Sequence, residues 1–340
     1  MRGIKHRLAK KSSTKKTASK TSSASVSIAA GVVGIVLAAW FVYGTVTIDP
    51  FRWGRFVEEL IVAVCALSAL RLLCILRLPS WLSIACVAIL PAGIATFAFF
   101  STSGNPIAMG RLLCLAAACA FALLTARELD AKPDGTLLAA LLIAVCLPSL
   151  IGSGTSFLSE LLRALTMAGI YLAVLAVRQK STQFLYLAAV GFGLGGAASL
   201  FAAFAGAGAG LGAALLAPKR KQSGWVFPAV RCAALPVAIW LVVRFLFPLP
   251  EALSASGLPT ASEFAAVVQP HLLRALDLGL LLLAIHLLAH REDGAVPALF
   301  AVAASMLMGF LPALHAPDVW MQALPLAVLA GVGTAKTGRN

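Results

Sequence analysis

Apolar residues in this chain neither alternate with polar ones nor form narrow stripes. They run nearly unbroken for about twenty residues, the length a helix needs to cross a bilayer core of about 30 Å, and stop at short clusters of Arg, Lys, Asp, Gly and Pro. The pattern predicts an all-α protein whose helices are buried in lipid. Ten runs are long enough for one crossing each: 26–48, 57–76, 81–100, 108–126, 135–151, 158–177, 225–247, 271–289, 295–311 and 319–333. An eleventh, 183–217, would form a helix of about 52 Å, too long for a single crossing. Basic residues flank it on both sides, Arg178 and Lys180 before it and Lys219, Arg220 and Lys221 after it. Both flanks therefore belong on the same, cytoplasmic side, and the run goes out and returns, with its turn expected in the glycine-rich stretch 205–212. The total is a polytopic transmembrane helical bundle of about twelve spans.

Charge orients that bundle. With the N and C termini both cytoplasmic, nineteen of the 27 Lys and Arg residues fall in cytoplasmic segments and only Arg52 and Arg55 in outer loops, the asymmetry expected of inner positive charge. Residues 1–25, rich in Lys, Ser and Thr, read as a disordered basic cytoplasmic tail. Residues 26–335 form the bundle, with the longest outer loop at 248–270, and 336–340 form a second cytoplasmic tail. Composition agrees: 60% hydrophobic residues, 12% charged residues and a mean hydropathy of +0.94 exclude a soluble globular domain. A net charge of +14 suggests nucleic acid at first sight, but its placement beside apolar runs is explained by topology, and no nucleic-acid partner is expected. All seven cysteines lie within apolar runs and none forms a CxxC pair, so they read as small buried apolar residues rather than disulfide partners or zinc ligands.

The candidate chemistry lies at the outer ends of the spans. Arg111, Arg163, Arg244 and Arg274 occupy four different spans there, with Arg52 and Arg55 in the first outer loop, whereas every lysine is cytoplasmic. Forked guanidinium donors suit phosphate and carboxylate in partly dry places. The alternative is that each arginine reaches to the interface or pairs locally, Arg163 with Glu160 and Arg274 with Asp277 at i, i+3. The carboxylates sit at the outer ends or in cytoplasmic segments, with none near mid-membrane, which argues against an ion-coupled pump. His271 opens the span 271–289 beneath the long outer loop and reads either as a general base or as an interfacial cap. His286 and His290 have metal-ligand spacing but lack the acid of a zincin, and cationic groups suit a helix C-terminus anyway; no metal site is expected. The glycines of 191–212 follow no strand, so they read as close helix packing rather than a dinucleotide loop.

The segment HLLRALDLGLLLL beginning at His271 resembles the region after the major periplasmic loop of O-antigen ligases and polymerases. There a histidine is followed by a Leu-rich turn, an acid, Leu-Gly and an apolar span. The stretch LPALHAPDVW at 311–320 is similar to the short outer loop between that family's last two spans, and the hairpin at 183–217 ending in Pro-Lys-Arg-Lys resembles the pair preceding its catalytic part. The resemblance covers mainly the C-terminal half. It implies glycan transfer from an undecaprenyl-diphosphate carrier at the outer leaflet of a bacterial plasma membrane, without cofactor or metal. His271 would assist the acceptor, and Arg274, Arg111, Arg163, Arg244 and Arg52, with Asp277, would line the substrate site. The partners implied are a lipid-linked glycan donor and membrane lipid. Two other readings stay open from the residues alone: a transporter or flippase of an anionic amphipathic lipid, and a non-catalytic membrane subunit.

Overall fold

The computed structural model describes residues 61, 65, 79–102, 105–130, 132–152, 156–197, 200–216, 224–246, 294–308 and 319–338. Among them regular structure is helical throughout: α1 Trp81–Ser101, α2 Pro106–Leu129, α3 Pro133–Gly152, α4 Phe157–Gln179, α5 Thr182–Gly196, α6 Leu200–Leu215, α7 Val226–Leu246, α8 Val296–Met308 and α9 Val319–Gly338. In α1, α2, α4 and α7 the apolar stretch is long enough to cross a membrane, and shorter apolar stretches lie in α3, α6 and α9. The expected spans at 26–48, 57–76 and 271–289 lie outside the described residues, apart from Ile61 and Cys65.

Helices in hydrocarbon must satisfy their polar groups internally, and local chemistry does so here. Asn105 caps α2 by accepting from the Ala108 amide (3.1 Å), with Pro106 in the first turn, where its missing N–H costs nothing. Ser156 caps α4 through the Ser159 amide (3.2 Å). Lys180 closes α4 in the left-handed region (φ 57°), where Ser181 N–H donates to the Ala176 carbonyl (3.1 Å). Thr96, Ser101, Thr125 and Thr166 each return their hydroxyl to the carbonyl four residues earlier.

Contacts between helix ends give each helix its direction. The first turns of α2 and α4 meet, and at their last turns Arg178 Nη2 donates to the Leu129 carbonyl (3.3 Å), so these two run parallel. α5 returns along α4, with Gly191 against the Leu165 carbonyl and Gly195 against that of Leu162. The end of α6 meets the start of α7 through Trp225 Nε1–H and the Ala213 carbonyl (2.9 Å), and the start of α8 through Gly212 and Val296. Gly331 of α9 lies against Ala139 of α3. One end of the bundle therefore gathers Arg127, Lys132, Arg178, Lys180 and Lys336; the other carries Arg111, Glu160 and Arg163.

Helix α4 is the hub. It is the most enclosed of the long apolar helices and packs on α2 on one side and α5 on the other, while α1 keeps most of its surface outward. Helices α1, α2, α3 and α9 form one group around it, and α5, α6, α7 and α8 the other.

The turn within 183–217 departs from expectation. The chain breaks after Gly196, at Ala197, and α6 runs as one helix through 205–212. The glycines there serve packing: Gly206 meets Phe192 and Pro236, Gly208 the Phe300 backbone, Gly210 Ala229 and Ala233, and Gly212 Val296 and Phe300. Without a Cβ, α6 approaches α7 and α8 to backbone contact, a gain in dispersion that lipid cannot supply.

Candidate functional site

The polar centre of the described structure is built where α2 and α4 begin side by side. Gly110 makes this approach possible, since a Cβ there would stand 2.9 Å from the Phe157 ring. Arg111 follows directly and donates from Nε to Glu160 Oε1 at 3.0 Å, an ion pair between two helices. The Glu160 side chain is only 3% exposed, whereas that of Arg111 is 24% exposed, so the pair is dry on one side and open on the other. Arg163, one turn further along α4, is buried and acts on the same carboxylate through its charge.

The single Nε contact is the informative detail. Among the described residues it is the only hydrogen bond of the Arg111 side chain, and it leaves both Nη groups, with their four N–H donors, without a protein acceptor. The carboxylate holds the guanidinium at one edge and presents the other. The centre also lies near the positive ends of two parallel helix dipoles. Such a place can bind a phosphate or carboxylate without rebuilding itself.

The expected site is thus brought together in part. Arg111 and Arg163 converge on one carboxylate. Glu160 accepts a hydrogen bond from Arg111, 49 residues away, and is also acted on by the charge of Arg163, its i, i+3 neighbour. Arg244 lies in α7 at the same end of the bundle, its side chain outside the described positions, and Arg52, His271, Arg274 and Asp277 lie outside the described residues, as do His286 and His290. Glu160 itself was missing from the expected substrate-binding set. The sequence offered it as an i, i+3 partner of Arg163 and as an acid at a span end, and neither signal identifies the spans of Arg111 and Glu160 as neighbours.

A second set of buried charges lies at the opposite end: Asp130, Asp134 and Lys336. Asp130 accepts from the Lys132 amide (3.3 Å), and Gly135 lies so close that a Cβ there would collide with the Asp130 carboxylate. Of the described cysteines all are free thiols; Cys114, Cys119, Cys146 and Cys232 are buried, and Cys232 donates to the Leu185 carbonyl (3.0 Å).

Helices and centre together define an integral membrane helical bundle with an interhelical arginine–glutamate centre near one end. No family model, curated protein or solved structure matches the chain.

Proposed function

We propose that this protein binds an anionic, lipid-linked substrate at the Arg111–Glu160–Arg163 end of the bundle and transfers a glycan from an undecaprenyl-diphosphate carrier there. In this reading the chain crosses a bacterial plasma membrane about twelve times with both termini cytoplasmic, and the arginine–glutamate centre faces outward. The observation that carries it is that Glu160 holds Arg111 through Nε beside a second arginine, with no acceptor for its Nη groups among the described residues. A diphosphate leaving group gains one negative charge as it departs, and forked donors in a partly dry place stabilise that charge. Transfer rather than transport rests on the resemblance of the His271 segment, in which the histidine takes a proton from the acceptor hydroxyl.

The test uses the full chain in lipid nanodiscs with an undecaprenyl-diphosphate-linked oligosaccharide, measuring donor binding and glycan transfer separately. Arg111→Ala should weaken donor binding by roughly tenfold, the size of one lost charge-assisted pair. His271→Ala should bind as well as wild type and lose transfer. Binding unchanged in Arg111→Ala removes the centre from the substrate site. Transfer unchanged in His271→Ala removes the enzyme reading, and movement of the donor across the bilayer in that variant would make the protein a lipid transporter.

A further inference from the structure

The opposite end of the bundle carries a cation that the Arg111 centre does not use. Arg231 lies five residues into α7, about 7.5 Å along a helix apolar enough to cross a membrane. It is exposed on the outside of the bundle, at the end where Arg178 and Lys180 also lie, and among the described residues no carboxylate is within ion-pair distance of it. A charge facing lipid at that depth requires a counter-charge or an interface.

Two aromatic rings hold it. The guanidinium carbon is 4.3 Å from the centroid of the Phe227 ring on the same helix and 5.8 Å from that of Tyr186 on α5. Both rings are themselves exposed, Phe227 at 56% and Tyr186 at 39%. Contact with ring faces uses the guanidinium's charge and plane and leaves its in-plane N–H donors available.

The same helix forms one wall of an apolar groove of 530 Å³ whose other wall is α6. Gly210 against Ala229 and Ala233 makes its floor, and Leu211, Val230 and Leu241 are exposed along its rims. By helical rise the α7 wall is about 18 Å long from Ala229 to Leu241. Two of its residues, Ala234 and Ala238, stand only about 60° and about 20° around the α7 axis from Arg231, the second about 10 Å deeper. The groove therefore leads from the level of the cation toward the middle of the membrane.

We infer that Arg231, Tyr186 and Phe227, together with the α6–α7 groove, form a binding site for an anionic glycerophospholipid, its phosphate on the guanidinium and one acyl chain along Ala234 and Ala238. Charge and shape each narrow the occupant. A free phosphate uses the cation and not the groove; an uncharged chain uses the groove and not the cation. The site lies at the other end of the bundle from Arg111 and does not depend on the reading given to that centre.

The test is thermal unfolding of the full chain in detergent with added dipalmitoyl phosphatidylglycerol, dipalmitoyl phosphatidylcholine or inorganic phosphate. Phosphatidylglycerol should raise the midpoint saturably, and the other two should not. Arg231→Ala should need roughly tenfold more phosphatidylglycerol for the same rise, and Arg231→Lys, which keeps charge but loses the flat fork, a few-fold more. Ala238→Phe, which fills the groove and leaves the cation, should also weaken the response. Equal effects of the two lipids, an equal effect of phosphate, or wild-type titrations in both Arg231→Ala and Ala238→Phe would overturn the proposal. So would an Ala238→Phe variant that loses self-association while its lipid response stays intact, because the groove would then hold a second copy of the chain.

Discussion

The two groups of helices on either side of α4 solve the same problem by different means. Every buried polar or charged residue among the described positions lies in α1 to α4, in α9 or in the loop between α2 and α3; α5 to α8 contain none. In that second group glycines do the specifying instead: Gly196 against the Pro236 carbonyl, Gly208 against Phe300, Gly210 against Ala233, Gly212 against Val296. Lipid is as apolar as leucine, so burial of carbon does not favour one helix partner over another. What remains is close backbone approach or polar pairing: close glycine contacts occur in both groups, whereas buried charge is confined to the first group and α4. Buried charge thus lies with the polar side and the shared helix α4, whereas the glycine side carries its cation, Arg231, on the outward face, against Phe227 and Tyr186.

The largest effect expected from breaking this contrast is at the glycine side. Gly208→Leu drives a side chain into the Phe300 backbone and should cost at least about 3 kcal/mol, seen as loss of the monodisperse peak in fluorescence-detected size exclusion. Gly93→Ala serves as the control, because a Cβ there meets nothing within 4 Å; it should be neutral or slightly stabilising. A Gly208→Leu variant with normal elution and melting would show that backbone contact does not hold α6 to α8.

On the polar side, Glu160→Ala leaves Arg111 and the buried Arg163 without their common carboxylate and should cost about 3 kcal/mol by thermal unfolding. Adding Arg111→Ala should restore part of that loss. Additive single effects would mean that the ion pair carries no coupling.

Smaller still is Trp225→Phe, which removes the Nε1–H bond to Ala213 and keeps most of the ring's packing. It should cost about 1 kcal/mol. Smallest in stability is Arg111→Lys, expected within about 0.5 kcal/mol of wild type because the charge opposite Glu160 remains. Its donor binding should nevertheless fall, since an ammonium engaged with a carboxylate has no second forked edge. An Arg111→Lys protein that binds donor as wild type does would reduce the centre to a structural ion pair.

Much of the helix plan was legible in the sequence. The expected runs 81–100, 108–126, 135–151, 158–177 and 225–247 correspond to Trp81–Ser101, Pro106–Leu129, Pro133–Gly152, Phe157–Gln179 and Val226–Leu246. The discrepancies fall at the ends, where caps decide: hydropathy stops at the first polar residue, but Asn105 and Pro106 start α2 earlier and Lys180 ends α4 later. The hairpin turn was misplaced because glycine has two uses, permitting turns and permitting contact, and only a neighbouring helix tells which applies. The arginine centre was legible as a set of outer-end charges and not as a geometry.

What the sequence by itself determined is the one-dimensional part: helical segments of bilayer length and the charge bias at their ends. These follow from the cost of an unpaired peptide group in hydrocarbon, which every residue meets locally. Only the tertiary structure decided which helices are neighbours, hence that Glu160 belongs to Arg111 and that Gly208 faces Phe300. In a solvent as apolar as the side chains themselves, partner choice rests on a few close contacts between residues distant in the chain, and no local pattern records them.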